Sequence, residues 1–518
     1  MNIIQRYWKV LLAAMFAVVV WCFWGFKYSS GLVYQEQLQL FLFDSEMFFE
    51  RLAVPGGIAR YVSEFLVQFY NVVQVGAVII ACVYVLLQLA TWKLVKKQKV
   101  SDAWYLLSYI PVILLWMYMG DINVRLSFVI SMLIAMTCMV VYPEKSSSVA
   151  KYIYVAIAVP FVYWITGPAV LMFAIYIAIK EILANRNFLI SAVAIVLSVA
   201  CMLASAAFVP YPVARIFYGI GYNYVVDVVA VMQYIVMAAF VIIPIVISVL
   251  PEQKEGKTSR FVFAGVLAGV VSLAVIAVPA NYLSASYEVL DYDLLVRQQK
   301  WNEIIEKAEK KTPDTPLTVS SLNLALAMTG QLNEQRAFQF FQNGWQGAFP
   351  VFNKNFESSL MTAEIYYQTG MVNTAQRFDF EAMEAIPDNG KSARIIKRLA
   401  ETNLINGQYK VSLKYLRILQ KTMYYRNWAN ETIALLGNEK AINEHPVYGY
   451  LRKCRLTKDF LFSEQEIDKI MGQLVVQNSK NVVAMQYLLF LPQLEGNQQK
   501  YLIYRNFVDE TLKKQKNQ

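Results

Sequence analysis

The sequence predicts an all-α protein: a polytopic transmembrane helix bundle of about nine spans over residues 1–283, then a soluble helical-repeat domain over 284–518. Three observations predict it. Hydrophobic residues make up 57% of the 518, charged residues only 16%, and mean hydropathy is +0.39; a soluble globule carries about 25% charged residues. The charges are also divided unevenly: 18 Lys+Arg and 12 Asp+Glu over 1–283, against 29 and 25 over the shorter remainder. Lastly, glycine-centred phrases recur in the second half at helical-repeat spacing.

The first apolar run follows Arg6 and Lys9 and extends from Val10 to Phe26. No small-x-small cleavage site follows it and further spans do, so it reads as an uncleaved first helix and not as a signal peptide. A span needs about 20 apolar residues. On that basis the spans are expected near 8–26, 65–92, 104–119, 126–142, 152–166, 169–184, 188–209, 225–250 and 261–283. Gly167-Pro168 interrupts one continuous apolar run. It reads as a tight hairpin between two spans, with one re-entrant element over 152–184 as the alternative.

Lys and Arg set the orientation. With the N-terminus inside, the inner loops hold 13 of them and the outer loops before the tail hold 5: Lys27, Arg51, Arg60, Arg125 and Arg215. An odd number of spans then puts the tail outside the cytoplasm, in the periplasm if the membrane is a bacterial inner membrane. This distribution accounts for the basic excess of the membrane half. The tail shows no basic stripe interleaved with aromatics, so nucleic acid is not an expected partner.

The chain has five cysteines without a CxxC pair, and one histidine, His445. No metal site is expected, and His-dependent catalysis is nearly excluded from the membrane half. No Walker loop or GxGxxG fingerprint occurs, and no particular cofactor is implied.

In the tail three phrases are alike: TGQLNEQRAFQFF from Thr329, TGMVNTAQRFDFEAM from Thr369 and NGQYKVSLKYLRIL from Asn406. Their glycines, Gly330, Gly370 and Gly407, each close one helical stretch and open another. The array resembles a degenerate tetratricopeptide (TPR-like) solenoid, whose period is about 34 residues. That resemblance implies a concave face able to take a peptide or protein partner. Phe338, Phe341, Phe378, Tyr409 and Leu416 are expected in its core.

Candidate chemistry lies in the outer loop 27–64. Its stretch LQLFLFDSEMFFERLAVPGG places Leu38, Phe41, Leu42, Phe48, Phe49 and Leu52 at helical spacing, as in a helix lying on the membrane surface. Asp44 and Glu46 are the candidate catalytic carboxylates, because an acceptor hydroxyl needs a base for its proton. The competing reading makes Asp44 a helix N-cap with Glu46 favoured by the dipole. Arg60, Arg125 and Arg215, near the outer face, are candidates for holding a lipid phosphate. Asp121 and Arg125, four apart, are expected to pair. Glu64, Gln68 and Asp227 are further polar groups near that face.

This layout resembles the C-superfamily glycosyltransferases, multi-spanning enzymes that take sugars from polyprenyl-phosphate carriers and carry an acidic residue in the first outer loop. The resemblance implies glycosyl transfer at the periplasmic face, with membrane lipid and a polyprenyl-phosphate sugar as partners. The alternative is a non-enzymatic membrane scaffold whose tail recruits an envelope protein; a transporter would tend to place polar groups mid-membrane. The phrases PGGIARYVSEFLVQFY from Pro55, YWITGPAVLMFAIY from Tyr163 and FEAMEAIPDNGKSARIIKRLAETNLINGQYKVSLKYL from Phe380 also resemble a family of uncharacterised bacterial multi-spanning membrane proteins. That second resemblance implies the architecture and no activity.

Overall fold

The structure is a computed structural model describing residues 3–96, 100–224, 231–251, 257–332, 340, 348–350, 355–388, 390–456 and 466–516. Lys97, Lys99, Asp227, Lys254, Phe338 and Phe341 lie outside the described residues. The described chain is helical, with a single isolated bridge between Val124 and Asn223 and no strand. It divides into two compact units, Met1–Leu283 and Ser284–Gln518.

The first unit comprises α1 (Ile3–Cys22), α2 (Ser29–Gln37), α3 (Ser45–Leu52), α4 (Gly57–Val67), α5 (Val73–Lys96), α6 (Ile110–Tyr118), α7 (Leu126–Val141), α8 (Ser148–Thr166), α9 (Val170–Lys180), α10 (Phe188–Ser205), α11 (Val213–Tyr218), α12 (Val231–Ser248) and α13 (Lys257–Ala280). Six helices among the described residues are long and apolar enough to cross a membrane: Tyr7–Lys27, Val73–Lys96, Ser148–Ala184, Phe188–Ser205, Val231–Ser248 and Arg260–Ala280. Asp102–Tyr118 and Leu126–Val141 are apolar but shorter. The expectation of about nine spans therefore depends on short segments.

Apolar side chains sit on both faces of these helices, unlike the one-sided stripe of a soluble helix. Phe128, Phe173, Val155 and Val162 are buried between helices, while Val19, Phe161, Val196, Phe261 and Ile276 point outward. The helix ends show how the elements run. Asp102 takes Lys9 from the start of α1 and Lys96 from the end of α5, both at 2.6 Å. The packed pair α1–α5 is thus antiparallel.

The 37-residue apolar run Ser148–Ala184 is not one rod. Gly167 ends α8 at φ 68° and ψ −141°, a conformation open essentially to glycine alone. The Lys151 ammonium near the start of α8 then meets Glu181, just past α9, at 2.8 Å, and Tyr142 donates to the same carboxylate. The chain folds back at Gly167-Pro168, and the two ends of the pair close on each other.

The second unit begins with α14 (Ser284–Arg297), α15 (Trp301–Lys310) and α16 (Pro316–Met328). It continues with α17 (Phe356–Thr369), α18 (Val372–Glu384), α19 (Ala393–Ile405), α20 (Tyr409–Gln420), α21 (Arg426–Leu435), α22 (Glu439–Glu444) and α23 (Tyr448–Cys454). Then come α24 (Ile467–Gln477), α25 (Val482–Leu494) and α26 (Gln498–Lys516). Consecutive helices pack as pairs. At Gly370 the backbone turns left-handed (φ 94°), and Met371 N–H reaches back to Tyr366 O at 2.8 Å, closing the helix as a Schellman turn does. The same bond pattern recurs at Gly330, Gly407 and Gly496, and at Gln299 without glycine. Tyr366, Leu404, Leu451, Leu474 and Leu488 belong to one shared buried core. Cys454 is buried in the free thiol form, where a Cβ on Gly370 would meet its own Cβ at 2.7 Å.

Candidate functional site

The outer-loop segment differs from the single surface helix its spacing suggests. Leu38 and Phe41 are buried, residues 38–44 are not helical, and only α3 is. The break falls at Asp44. Its backbone is extended (φ −142°, ψ 135°) and its carboxylate accepts the Glu46 N–H at 3.2 Å. That is N-cap geometry. Asp44 is half-buried and Glu46 is exposed.

Seven residues beyond Asp44, α3 delivers Arg51 into a buried ion triad. Glu64 on α4 receives Arg51 Nε on one carboxylate oxygen and Arg60 Nε on the other, each at 2.8 Å. Arg60 precedes Glu64 by one helical turn, the spacing at which side chains share a face. Both groups can be buried because both oxygens are bonded; an unpaired buried charge would cost several kcal/mol.

The three arginines expected to hold phosphate are all buried, at 4% (Arg60), 2% (Arg125) and 4% (Arg215) relative exposure. They converge on one short segment, Gly219–Tyr224. A Cβ on Gly221 would stand 3.0 Å from Arg60 Cδ. The Arg125 guanidinium lies over the Tyr224 ring at 4.1 Å, while Arg125 N–H donates to Tyr222 O at 2.9 Å. Arg215 Nη2 donates to Asn223 O at 3.3 Å.

Further elements fix that segment. The Tyr222 hydroxyl donates to Thr166 O and accepts from Ala169 N–H, so it clamps the Gly167-Pro168 turn. That turn rests on the other one read from the sequence: Gly56 N–H donates to Trp164 O at 2.9 Å, and a Cβ on Gly56 would reach Gly167 N at 3.4 Å. Tyr118 donates to Asn223 Oδ1 at 3.2 Å. Asp121 accepts from the backbone and side chain of Asn123, at 2.9 and 3.0 Å.

Sequence reasoning passed over the run Gln35-Glu36-Gln37 and Gln39, all buried on and just after α2. Gln35 Nε2 donates to Val124 O at 2.9 Å, and its own carbonyl accepts from Tyr224. Polar residues with no apolar stripe look like loop; only the neighbouring loops give them a reason to be inside. The signal available was their density, four amide or acid side chains in five residues. Two buried groups of this unit have polar atoms without a hydrogen-bond partner among the described residues, Gln35 Oε1 and the hydroxyl of Tyr70.

Guanidinium groups from three separate elements thus meet at this segment, with hydroxyl and amide groups beside them, and Arg60 among them is paired with Glu64. Among the described residues no group of three His, Cys, Asp or Glu is placed to hold a metal ion. A family model described as a family of unknown function (DUF6057) matches residues 6–504. No curated protein and no solved structure matches the chain.

Proposed function

The chain belongs to that family of unknown function, and from its own residues we propose that it transfers a sugar from a polyprenyl-phosphate carrier at the outer face of a bacterial inner membrane. In this reading the first unit crosses the membrane nine times with the N-terminus inside. The second unit is a periplasmic TPR-like domain. The observation that carries the reading is the convergence of Arg60, Arg125 and Arg215 on Gly219–Tyr224. Fixed donors of this kind stabilise charge as it develops on a departing phosphate, and they count for more where water is excluded.

Asp44 is the proposed base for the acceptor hydroxyl. It stands at the start of α3, about 10 Å along the helix axis from Arg51 by the ~1.5 Å rise per residue. Its capping bond to Glu46 N–H favours a second reading, in which the first unit only holds the lipid phosphate and the second recruits a protein partner.

One assay separates the two. Purified protein in lipid nanodiscs is given a polyprenyl-phosphate sugar together with a hydroxyl-bearing glycan as acceptor, and both lipid binding and transfer of the sugar to that acceptor, with release of the polyprenyl phosphate, are measured. Arg215→Gln should weaken binding and transfer together by about tenfold or more, the scale of a lost charge-assisted hydrogen bond. Asp44→Asn should keep binding and thermal stability, because Asn caps as well as Asp, and should slow transfer about 100–10,000-fold. Wild-type transfer by a stable Asp44→Asn variant removes Asp44 from the mechanism. Lipid binding without transfer leaves the second reading standing.

A further inference from the structure

The second unit contains a cavity of about 250 Å³ that the proposed reaction does not use. Its walls come from the end of α14, from α17 and α19, and from the segments before α21 and α23. Helix α19 sets its chemistry. Arg394, Lys397, Arg398 and Glu401 recur at intervals of three and four residues, so they share one face. Like charges at that spacing destabilise a bare helix, and here two of the three cations are held by carboxylates. Arg394 Nη1 reaches both oxygens of Asp293, at 3.0 and 2.8 Å. Arg398 bonds Glu364 at 2.7 Å and Glu401 at 3.4 Å. Lys397 instead lies 4.9 Å from the centre of the Trp428 ring, a contact that leaves the ammonium's hydrogens available.

The same cavity is lined by His445, the one histidine of the chain. Its Nδ1 accepts the backbone N–H groups of Val447 and Tyr448, each at 3.2 Å. Its ring stacks on Tyr448 with centroids 4.0 Å apart. Accepting at Nδ1 fixes the tautomer, so Nε2 carries the proton and is the donor. Burial lowers the imidazole pKa, which keeps this neutral form at pH 7. Glu401, whose contact to Arg398 is its long one, has acceptor capacity left. The lining holds four cations, Arg297, Arg394, Lys397 and Arg398, against Glu364 and Glu401, and Asp293 offsets Arg394, which leaves one net positive charge.

We propose that this cavity binds a small hydroxyl-bearing oxyanion, a sugar phosphate or sugar acid, with the anion on Lys397 and His445 Nε2–H and a hydroxyl on Glu401. The excess of positive charge disfavours an ammonium in the hydroxyl's place. The volume is below the ~300–1,000 Å³ of sites for drug-sized ligands and suits one sugar ring. This inference does not rest on the activity proposed for the first unit.

The single histidine makes the test direct. Full-length protein labelled only at histidine with ¹⁵N, in nanodiscs of neutral lipid, gives one imidazole pair of signals, which is titrated with glucose 6-phosphate, glucuronate, glucose and inorganic phosphate. At least one of the two acidic sugars should shift the signals saturably, and glucose at the same concentration should not. Inorganic phosphate should bind at least tenfold more weakly than the acidic sugar that binds. Lys397→Met should weaken that sugar tenfold or more with the ligand-free signals unchanged; if those signals move, Lys397→Gln serves in its place. Glu401→Gln should weaken the sugar more than inorganic phosphate. The proposal is overturned if neither acidic sugar shifts the signals, if glucose does so equally, if phosphate alone binds as tightly, or if the lysine variant binds as wild type.

Discussion

At the scale of single residues, burial separates charges that are held from one that is not. Glu64 and Glu181 are buried with cations on them. Asp379 on α18 is only 2% exposed, and its Oδ2 has no hydrogen-bond partner among the described residues. Burial pushes its carboxyl well above the usual range, the Glu364 and Glu401 charges push the same way, and Arg398 and Arg394 pull against them without winning. The sign follows. A carboxyl whose folded pKa is raised favours the fold fully only below its unfolded value of about 3.9. That contribution is lost as pH rises toward the folded pKa, so at neutral pH the residue costs stability. Asp379→Asn should remove the cost. In full-length protein at pH 7.5, amide exchange across Val372–Glu384 should slow about tenfold for each ~1.4 kcal/mol recovered. At pH 4 variant and wild type should exchange alike. Equal rates at both values would show that Asp379 ionises normally in the fold.

At the scale of elements, what could be read in the sequence was what glycine and proline mark. The turns at Pro55-Gly56-Gly57 and Gly167-Pro168 are both present and touch each other. The turns at Gly330, Gly370 and Gly407 are present too. Gly437 and Gly496 were overlooked, although each precedes an asparagine that caps the next helix, Asn438 and Asn497. Neither glycine follows a Thr or Asn such as the one that precedes Gly330, Gly370 and Gly407; Leu436 and Glu495 stand there instead. The helix drawn from Leu38 to Leu52 failed for a related reason: its apolar spacing was regular, but Asp44 competes with the helix for its own neighbour's N–H. Among the site residues the three arginines were visible as charges at one end of the spans. The segment that gathers them, Gly219–Tyr224, was not, because its role is made of contacts to elements distant in sequence. The Gly167 turn can be tested alone. Gly167→Ala puts a Cβ at φ 68°, about 3.6 Å from Gly56 Cα. It should cost about 1–3 kcal/mol and lower the melting temperature of the detergent-solubilised protein. An unchanged melting temperature would mean the turn is not constrained as described.

At the scale of the whole molecule, orientation is the property to measure. The proposed topology puts Gln518 outside the cytoplasm, because the loops assigned inside carry 13 Lys and Arg against 5 outside. Alkaline phosphatase fused after Gln518 should be active, since it matures only in an oxidising compartment; a silent phosphatase with a fluorescent cytoplasmic reporter at the same position would reject it. The paired ends of α8 and α9 also bear on how such a chain is made. Lys151 emerges from the ribosome 30 residues before Glu181, its partner. Helix α9 has 11 residues, a length of about 16 Å, roughly half of the ~30 Å hydrocarbon layer. Alone it makes a poor stop within the insertion machinery. In the proposed topology the two helices should therefore pass into lipid together as one hairpin, the turn leading and the ion pair closing last.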